Sequence, residues 1–176
     1  MRTFLKSTSK FFVDQAKAPF EPILHPSTAR LLLIGASIVV GFPAYGLVWH
    51  YLKPQPFDGP WLRILFGSIG LPLLLPAIYR YPKSKLTAVV TSLVFWLACP
   101  LAFSWMYYTN GGNYEWFVSV CCMVIIYYHM TDWRLATVGT VLGMAVAFGA
   151  CSLAYPQHPA IDSNLIGQHL ALLSFC

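Results

Sequence analysis

The sequence predicts an all-α integral membrane protein, a bundle of six transmembrane helices. Of its 176 residues, 57% are hydrophobic and only 10% are charged, which is far from the composition of a soluble domain. A helix needs roughly 20 apolar residues to cross a bilayer core. Stretches near this length are Leu31–Leu52, Trp61–Tyr79, Leu86–Tyr108, Tyr114–Met130 and Leu135–Tyr155.

A sixth apolar stretch, Leu165–Cys176, is too short to cross the membrane as a helix. At about 1.5 Å per residue it covers roughly 18 Å of a hydrocarbon core about 30 Å thick. We therefore expect the sixth helix to be truncated or incomplete in this chain.

Basic residues are divided unequally between the two ends of the predicted helices. Only Lys53 and Arg63 lie on one side, whereas nine lie on the side of the N-terminus: Arg2, Lys6, Lys10, Lys17, Arg30, Arg80, Lys83, Lys85 and Arg134. Because cytoplasmic loops of membrane proteins carry the excess of Lys and Arg, the N-terminus is predicted to be cytoplasmic. A completed sixth helix would return the chain to the cytoplasm.

The chain divides into a cytoplasmic segment, residues 1–30, and a transmembrane bundle, residues 31–176. In the first segment Phe4, Leu5, Phe11 and Phe12 alternate with lysines, which suits a helix lying in the headgroup layer. A solvated tail is the alternative. Ser27, which follows Pro26, is predicted to cap the first transmembrane helix.

The sequence contains no motif of an enzyme active site. The five cysteines show no CxxC spacing, and phosphate-loop, HExxH and Gly-x-Ser-x-Gly motifs are absent. We predict no catalytic residue, no metal ligand and no resident cofactor in this chain, and no nucleic-acid partner. Whether the parent protein is an enzyme stays open.

Histidines are the only titratable candidates for a buried site. His50 and His169 are both expected near the outer face, where they could flank a haem, whereas His129 lies at the inner end of the fourth helix. The favoured interpretation is that these histidines bind water or headgroups at the membrane interface.

Four prolines interrupt three successive predicted helices: Pro43, Pro72, Pro76 and Pro100. Each lacks an N–H and disturbs the carbonyl four residues earlier, so that carbonyl needs another partner. One interpretation is a set of kinks that help helices to pack; the other is a cavity that accepts the polar head of an apolar molecule. Gly139 and Gly143, one turn apart, are predicted to serve close helix contact.

Several of these motifs resemble one family. Gly41-Phe42-Pro43-Ala44-Tyr45, followed by Trp49, Tyr51 and Pro54-Gln55, resembles the first transmembrane hairpin of the CqsS-type quorum-sensing sensor histidine kinases, whose ligands are α-hydroxyketones. Further parallels, in order along residues 21–160, are Glu21-Pro22, Asn110, Trp116 with Ser119, Asp132-x-Arg134 and His158-Pro159.

The resemblance implies a six-helix membrane sensor of the bacterial inner membrane that regulates a cytoplasmic histidine kinase domain. That kinase domain is absent from this chain, and the expected assembly is a homodimer. The resemblance implies ligand-binding roles for Trp116 and Ser119, and we add Pro43, Tyr45 and Trp49 as candidate binding residues. The alternatives are a small membrane carrier or haem-binding membrane protein without a kinase partner, and a structural membrane subunit without a ligand.

Overall fold

The computed structural model describes residues 26–52, 54–55, 57–155 and 167–168, and this part of the chain is helical without a strand. The helices are α1 (Thr28–Leu52), α2 (Pro60–Ser68), α3 (Pro76–Tyr79), α4 (Lys85–Trp96), α5 (Ala102–Thr109), α6 (Tyr114–Met130) and α7 (Trp133–Ala154). A 3₁₀ turn, Leu71–Leu74, lies between α2 and α3, and a π turn, Leu97–Leu101, joins α4 to α5. The predicted in-plane helix before residue 26 lies outside the described residues, as does the sixth stretch apart from Gly167 and Gln168.

Three helices are long and apolar enough to cross a bilayer, so the chain is compatible with a multi-pass membrane protein. They are Thr28–Leu52, the continuous helix Lys85–Thr109, and Trp133–Ala154, with mean hydropathies of 2.1, 2.0 and 1.7. The apolar helix α6 is shorter, at 17 residues. The all-helical class is confirmed, while the count of six spans stays a prediction.

Side-chain caps determine where four of the helices begin. The predicted cap of α1 is present, because the Arg30 N–H donates to Ser27 Oγ at 3.3 Å. Ser84, Asn113 and Asp132 accept from the first turns of α4, α6 and α7 in the same way. Such caps satisfy N–H groups that have no partner within the helix.

The second predicted helix differs from the expectation, because it is not continuous. α2 ends at Ser68, and Leu75 has the extended backbone angles φ −75° and ψ 134° between the 3₁₀ turn and α3. Pro72 and Pro76 explain the break, since neither can donate a helical hydrogen bond. Pro100 has a milder effect, because the helix continues through it as a π turn.

Contacts at the two ends show how the helices alternate in direction. At the end that we call the Thr28 end, the Thr28 hydroxyl donates to the Tyr79 carbonyl at 2.8 Å, which joins the start of α1 to the end of α3. At the opposite end, the Asn113 end, the Asn113 amide donates to Gln55 Oε1 at 2.7 Å. The α1–α2 and α5–α6 connections therefore lie together, and the chain runs up and down through the bundle.

α7 packs closely against the helix Lys85–Thr109 through small residues. The Trp96 indole donates to the Gly139 carbonyl at 3.0 Å. A Cβ added to Gly143 would lie 2.7 Å from Pro100 Cβ. The predicted packing role of Gly139 and Gly143 is therefore confirmed, and the π turn at Pro100 fits against a glycine.

Candidate ligand-binding site

A cavity of about 470 Å³ lies between α1 and α6, with the helix Lys85–Thr109 as its floor. Its apolar lining comes from three helices, and a single ionised side chain, Arg63, reaches it from α2. The lining residues are Ser37, Ile38, Gly41, Phe42, Tyr45, Arg63, Ala98, Cys99, Phe103, Val118, Ser119, Cys122, Met123 and Ile126.

The cavity opens on the side of the bundle rather than at one end. Exposed residues border it at four-residue spacing along the middle of two helices: Ser37, Gly41 and Tyr45 on α1, and Val118, Cys122 and Ile126 on α6. In contrast, Ala98 and Met123 are buried at its base. In a bilayer this opening would face hydrocarbon, which suits a ligand that arrives from the lipid phase.

Arg63, the ionised side chain of the cavity, forms a buried ion pair with Asp58. Arg63 Nε and one terminal nitrogen donate to the two carboxylate oxygens of Asp58 in a bidentate arrangement. Both side chains are excluded from solvent, with 2% of Arg63 and 3% of Asp58 exposed. Because Gly59 and Pro60 start α2 between them, Arg63 lies in the first turn of the helix and folds back onto Asp58. The pairing offsets the charge of the guanidinium.

Aromatic rings on two other helices hold the same guanidinium. Its carbon atom lies 5.6 Å from the centre of the Tyr45 ring and 5.0 Å from that of Trp116. These distances are within the range of cation–π attraction. A Cβ added to Gly46 would lie 2.5 Å from Arg63 Cγ, so the stem of Arg63 crosses α1 where only glycine leaves room.

Ser119 supplies a further polar group beside Arg63, Tyr45 and Ser37, and its hydrogen bond limits what it can do. Its hydroxyl donates to the Glu115 carbonyl at 2.8 Å, within its own helix. A serine hydroxyl has one hydrogen and two lone pairs. Ser119 is therefore placed to accept a hydrogen bond from a ligand, whereas its only donor is already used.

Of the predicted binding residues, Tyr45 and Ser119 line the cavity and Trp116 lies next to it. Trp116 is 3% exposed and packs against Phe103, with ring centres 6.4 Å apart. Trp116 therefore contacts the guanidinium of Arg63 and does not line the cavity itself. Trp49 packs edge-on against Tyr45, with ring centres 5.7 Å apart, and is not among the lining residues.

Pro43 lies against α2 and does not line the cavity. A Cβ added to Gly67 would lie 3.1 Å from both Pro43 Cδ and the Val39 carbonyl oxygen. This is the carbonyl that Pro43 was predicted to release. Its neighbour is thus the Gly67 backbone of α2, and Pro43 contributes to helix packing beside the site.

Arg63 and Asp58 were not among the predicted site residues. Arg63 was assigned only to the outer end of a helix, because nothing in the sequence places it beside Trp116. One signal was available: an arginine within an apolar helix, five residues after an aspartate, is costly to bury unless the two side chains pair.

A second acidic–basic pair lies at the Thr28 end. Arg134 Nε donates to Asp132 Oδ1 at 2.8 Å, and the Arg134 N–H donates to the same carboxylate at 2.9 Å. The hydrogen bond from the Arg134 side chain lowers the pKa of Asp132 below its usual range. This pair lies at the opposite end of the bundle from Arg63, and Asp132 serves as the cap of α7.

The residues described hold no cluster suited to a metal ion. No group of three or more His, Cys, Asp or Glu side chains is placed to ligate one within this part of the chain. His50 is exposed and its ring centre lies 5.4 Å from that of Tyr51. The second predicted haem-flanking residue, His169, lies outside the described residues.

No family model matches the sequence, and no solved structure matches the fold significantly.

Proposed function

We propose that this chain is the membrane sensor of a two-component quorum-sensing system, and that it binds an amphipathic α-hydroxyketone in the cavity between α1 and α6. The observation that carries the proposal is the composition of that cavity. An apolar lining is combined with the donor Arg63, the acceptor Ser119 and the hydroxyl-bearing residues Ser37 and Tyr45. An α-hydroxyketone has the complementary pair, a carbonyl that accepts and a hydroxyl that donates.

The size and position of the cavity support a lipophilic small molecule. A volume of about 470 Å³ is within the range of small-molecule sites, roughly 300–1,000 Å³. The opening along α1 and α6 allows the alkyl tail to enter from the bilayer.

The two ends of the cavity differ in polarity. Arg63 and Tyr45 lie toward the Asn113 end, whereas Ile126 and Ile38 lie toward the Thr28 end. We therefore expect the polar head toward the Asn113 end and the tail toward the Thr28 end.

The topology that follows from the charge distribution places the kinase on the side of the Thr28 end. Arg30, Arg80, Lys83, Lys85 and Arg134 flank helices at this end. The proposal includes six spans, a cytoplasmic N-terminus and the bacterial inner membrane. The histidine kinase domain and a second copy of this chain would be its partners.

The signal would pass through the packing of α1 and α6 on either side of the cavity. A ligand shifts an equilibrium between two packings only through its differential affinity for them. A molecule seated between these helices contacts both, so its affinity depends on their separation. As in the family that the sequence resembles, occupancy is proposed to lower kinase activity relative to phosphatase activity.

A dose–response series in the complete receptor tests this function. Kinase activity in membranes is measured against the concentration of an alkyl α-hydroxyketone. Cys122→Trp, which fills the cavity from its rim, should raise the half-effective concentration at least tenfold. Leu153→Trp is the matched control, because Leu153 is 87% exposed on α7 and does not line the cavity. Equal sensitivity of both variants and the parent would exclude this cavity as the ligand site.

A further inference from the structure

We propose that Arg63 recognises the carbonyl of the ligand, and that Asp58 makes the site select an uncharged head group over an anionic one. This inference rests on the proposed function, because it assigns the chemistry of the same cavity. It begins from the buried pair, in which the Arg63 side chain is 2% exposed and the Asp58 side chain 3% exposed.

The guanidinium retains donors for a ligand. It carries five N–H groups, and the bidentate pair with Asp58 uses one on Nε and one on a terminal nitrogen. Its other terminal nitrogen donates to no residue in the described part of the chain. Since Arg63 lines the cavity, a ligand carbonyl is the acceptor that would complete the site.

Asp58 changes which head groups the Arg63 guanidinium prefers. An arginine with a free fork favours carboxylates and phosphates, which it binds through two parallel hydrogen bonds. Here one edge of the guanidinium, formed by Nε and one terminal nitrogen, already holds the Asp58 carboxylate. An anionic head could use only the remaining terminal N–H groups, where the buried Asp58 carboxylate beside it would repel it in a desolvated environment. A ketone needs only one N–H and brings no charge, so the pair can stay intact.

The surroundings of Arg63 make it a fixed donor. Rings of Tyr45 and Trp116 lie 5.6 Å and 5.0 Å from its guanidinium carbon, and the stem of the side chain packs on Gly46. A donor held in place loses little conformational freedom on binding. With Ser119 as acceptor for the adjacent hydroxyl, the site distinguishes a hydroxyketone from a molecule that lacks either group.

Direct binding to the purified chain in lipid nanodiscs tests the inference. The probes are a tritiated twelve-carbon α-hydroxyketone, the secondary alcohol of the same length, and dodecanoate. The parent should bind the hydroxyketone at least tenfold more tightly than either other probe. Arg63→Met should reduce its preference for the hydroxyketone over the alcohol to less than threefold, while both still bind through their tails.

Asp58→Asn should raise the affinity for an anionic probe, and misfolding cannot produce such an increase. Without the carboxylate, Arg63 should bind an anion, so the affinity for dodecanoate should rise at least tenfold over the parent. Asp132→Asn is the matched control, since it removes the acidic partner of Arg134 at the other end of the bundle. This control should leave all three affinities within twofold of the parent.

The outcomes separate the two proposals. If the parent does not bind the hydroxyketone in preference to dodecanoate and the alcohol, the proposed function fails. If the parent has this preference but Asp58→Asn does not gain dodecanoate affinity and Arg63→Met keeps the parental ranking, the roles of Arg63 and Asp58 are refuted while the proposed function stands.

Discussion

The Arg63 guanidinium lies over the face of the Trp116 ring, with its carbon atom 5.0 Å from the ring centre. Arg63 is in the first turn of α2 and Trp116 is in the first turn of α6, so the contact joins two helices at the polar end of the cavity. In the proposed complex the ring would therefore act on the ligand through Arg63 rather than by covering it.

Replacement of Trp116 should weaken hydroxyketone binding, and the loss should be larger when less of the aromatic ring is retained. A desolvated cation–π contact contributes about 0.5–2 kcal/mol, and each 1.4 kcal/mol is about tenfold in affinity. Trp116→Leu should therefore lower hydroxyketone affinity roughly two- to thirtyfold, and Trp116→Phe should lower it less. Titration of the labelled ligand measures both. If the leucine variant binds as the parent does, the stack is unimportant for recognition.

Ser119→Ala should act on the hydroxyl of the ligand alone. Because the Ser119 hydrogen is donated to the Glu115 carbonyl, only its lone pairs are available to a ligand. Loss of one hydrogen bond at about 0.5–1.5 kcal/mol should weaken binding of the hydroxyketone roughly two- to tenfold. The ketone without the hydroxyl should bind equally to parent and variant. An equal loss for both compounds would show that Ser119 serves helix structure instead.

Gly46→Ala should displace Arg63 and so reduce binding. The added methyl would lie 2.5 Å from Arg63 Cγ and 3.2 Å from Cδ, and the guanidinium cannot follow without leaving Asp58. We expect at least fivefold weaker hydroxyketone binding. Gly149→Ala is the control, because nothing lies within 4 Å of its added Cβ. Parental affinity in the Gly46 variant would mean that Arg63 is free to move.

Gly143→Ala should destabilise the bundle rather than the site. Its methyl would meet Pro100 Cβ at 2.7 Å and the Pro100 carbonyl carbon at 3.0 Å, and the latter is backbone. Overpacking of this kind costs about 1–3 kcal/mol. Thermal unfolding in detergent should show a lower midpoint for Gly143→Ala, and an unchanged or higher one for Gly149→Ala in the same helix. The reverse order would contradict the close contact at Pro100.

Reporter fusions test the proposed topology. Fusions after Arg30, Lys85 and Arg134 should be cytoplasmic, because the Thr28 end carries the basic residues. Fusions near Asn110 and Gln157 should face outside. A cytoplasmic Asn110 would overturn the predicted number of spans before it.

Much of the helical layout could be predicted from the apolar stretches alone. α6 has the predicted bounds, Tyr114–Met130, and the other long helices begin or end within a few residues of the prediction. These segments are predominantly apolar, so their hydropathy predicts them. The region of Pro72 and Pro76 was harder, because a proline either kinks or ends a helix according to the partners that its neighbours find.

The site was predictable only in part, for a physical reason. The sequence motifs predicted Tyr45, Trp116 and Ser119 as binding residues. The structure brings all three to one cavity or its edge. Pro43 was assigned to the site by its local effect on a helix, yet that effect serves contact with Gly67. The stacking of Arg63 on Trp116 depends on tertiary packing, which no local pattern encodes, whereas its pairing with Asp58 spans only five residues.

Photoaffinity labelling tests the central claim, that an α-hydroxyketone binds between α1 and α6, most directly. The parent chain in nanodiscs is irradiated with a hydroxyketone that carries a diazirine in its tail, and labelled residues are identified by mass spectrometry. The account predicts label on residues that line the cavity, above all Ile38, Met123 and Ile126, and its loss with excess unlabelled hydroxyketone. Label confined to the outward face of α7, at Val138, Val141 and Leu153, or label that excess ligand does not displace, would contradict it.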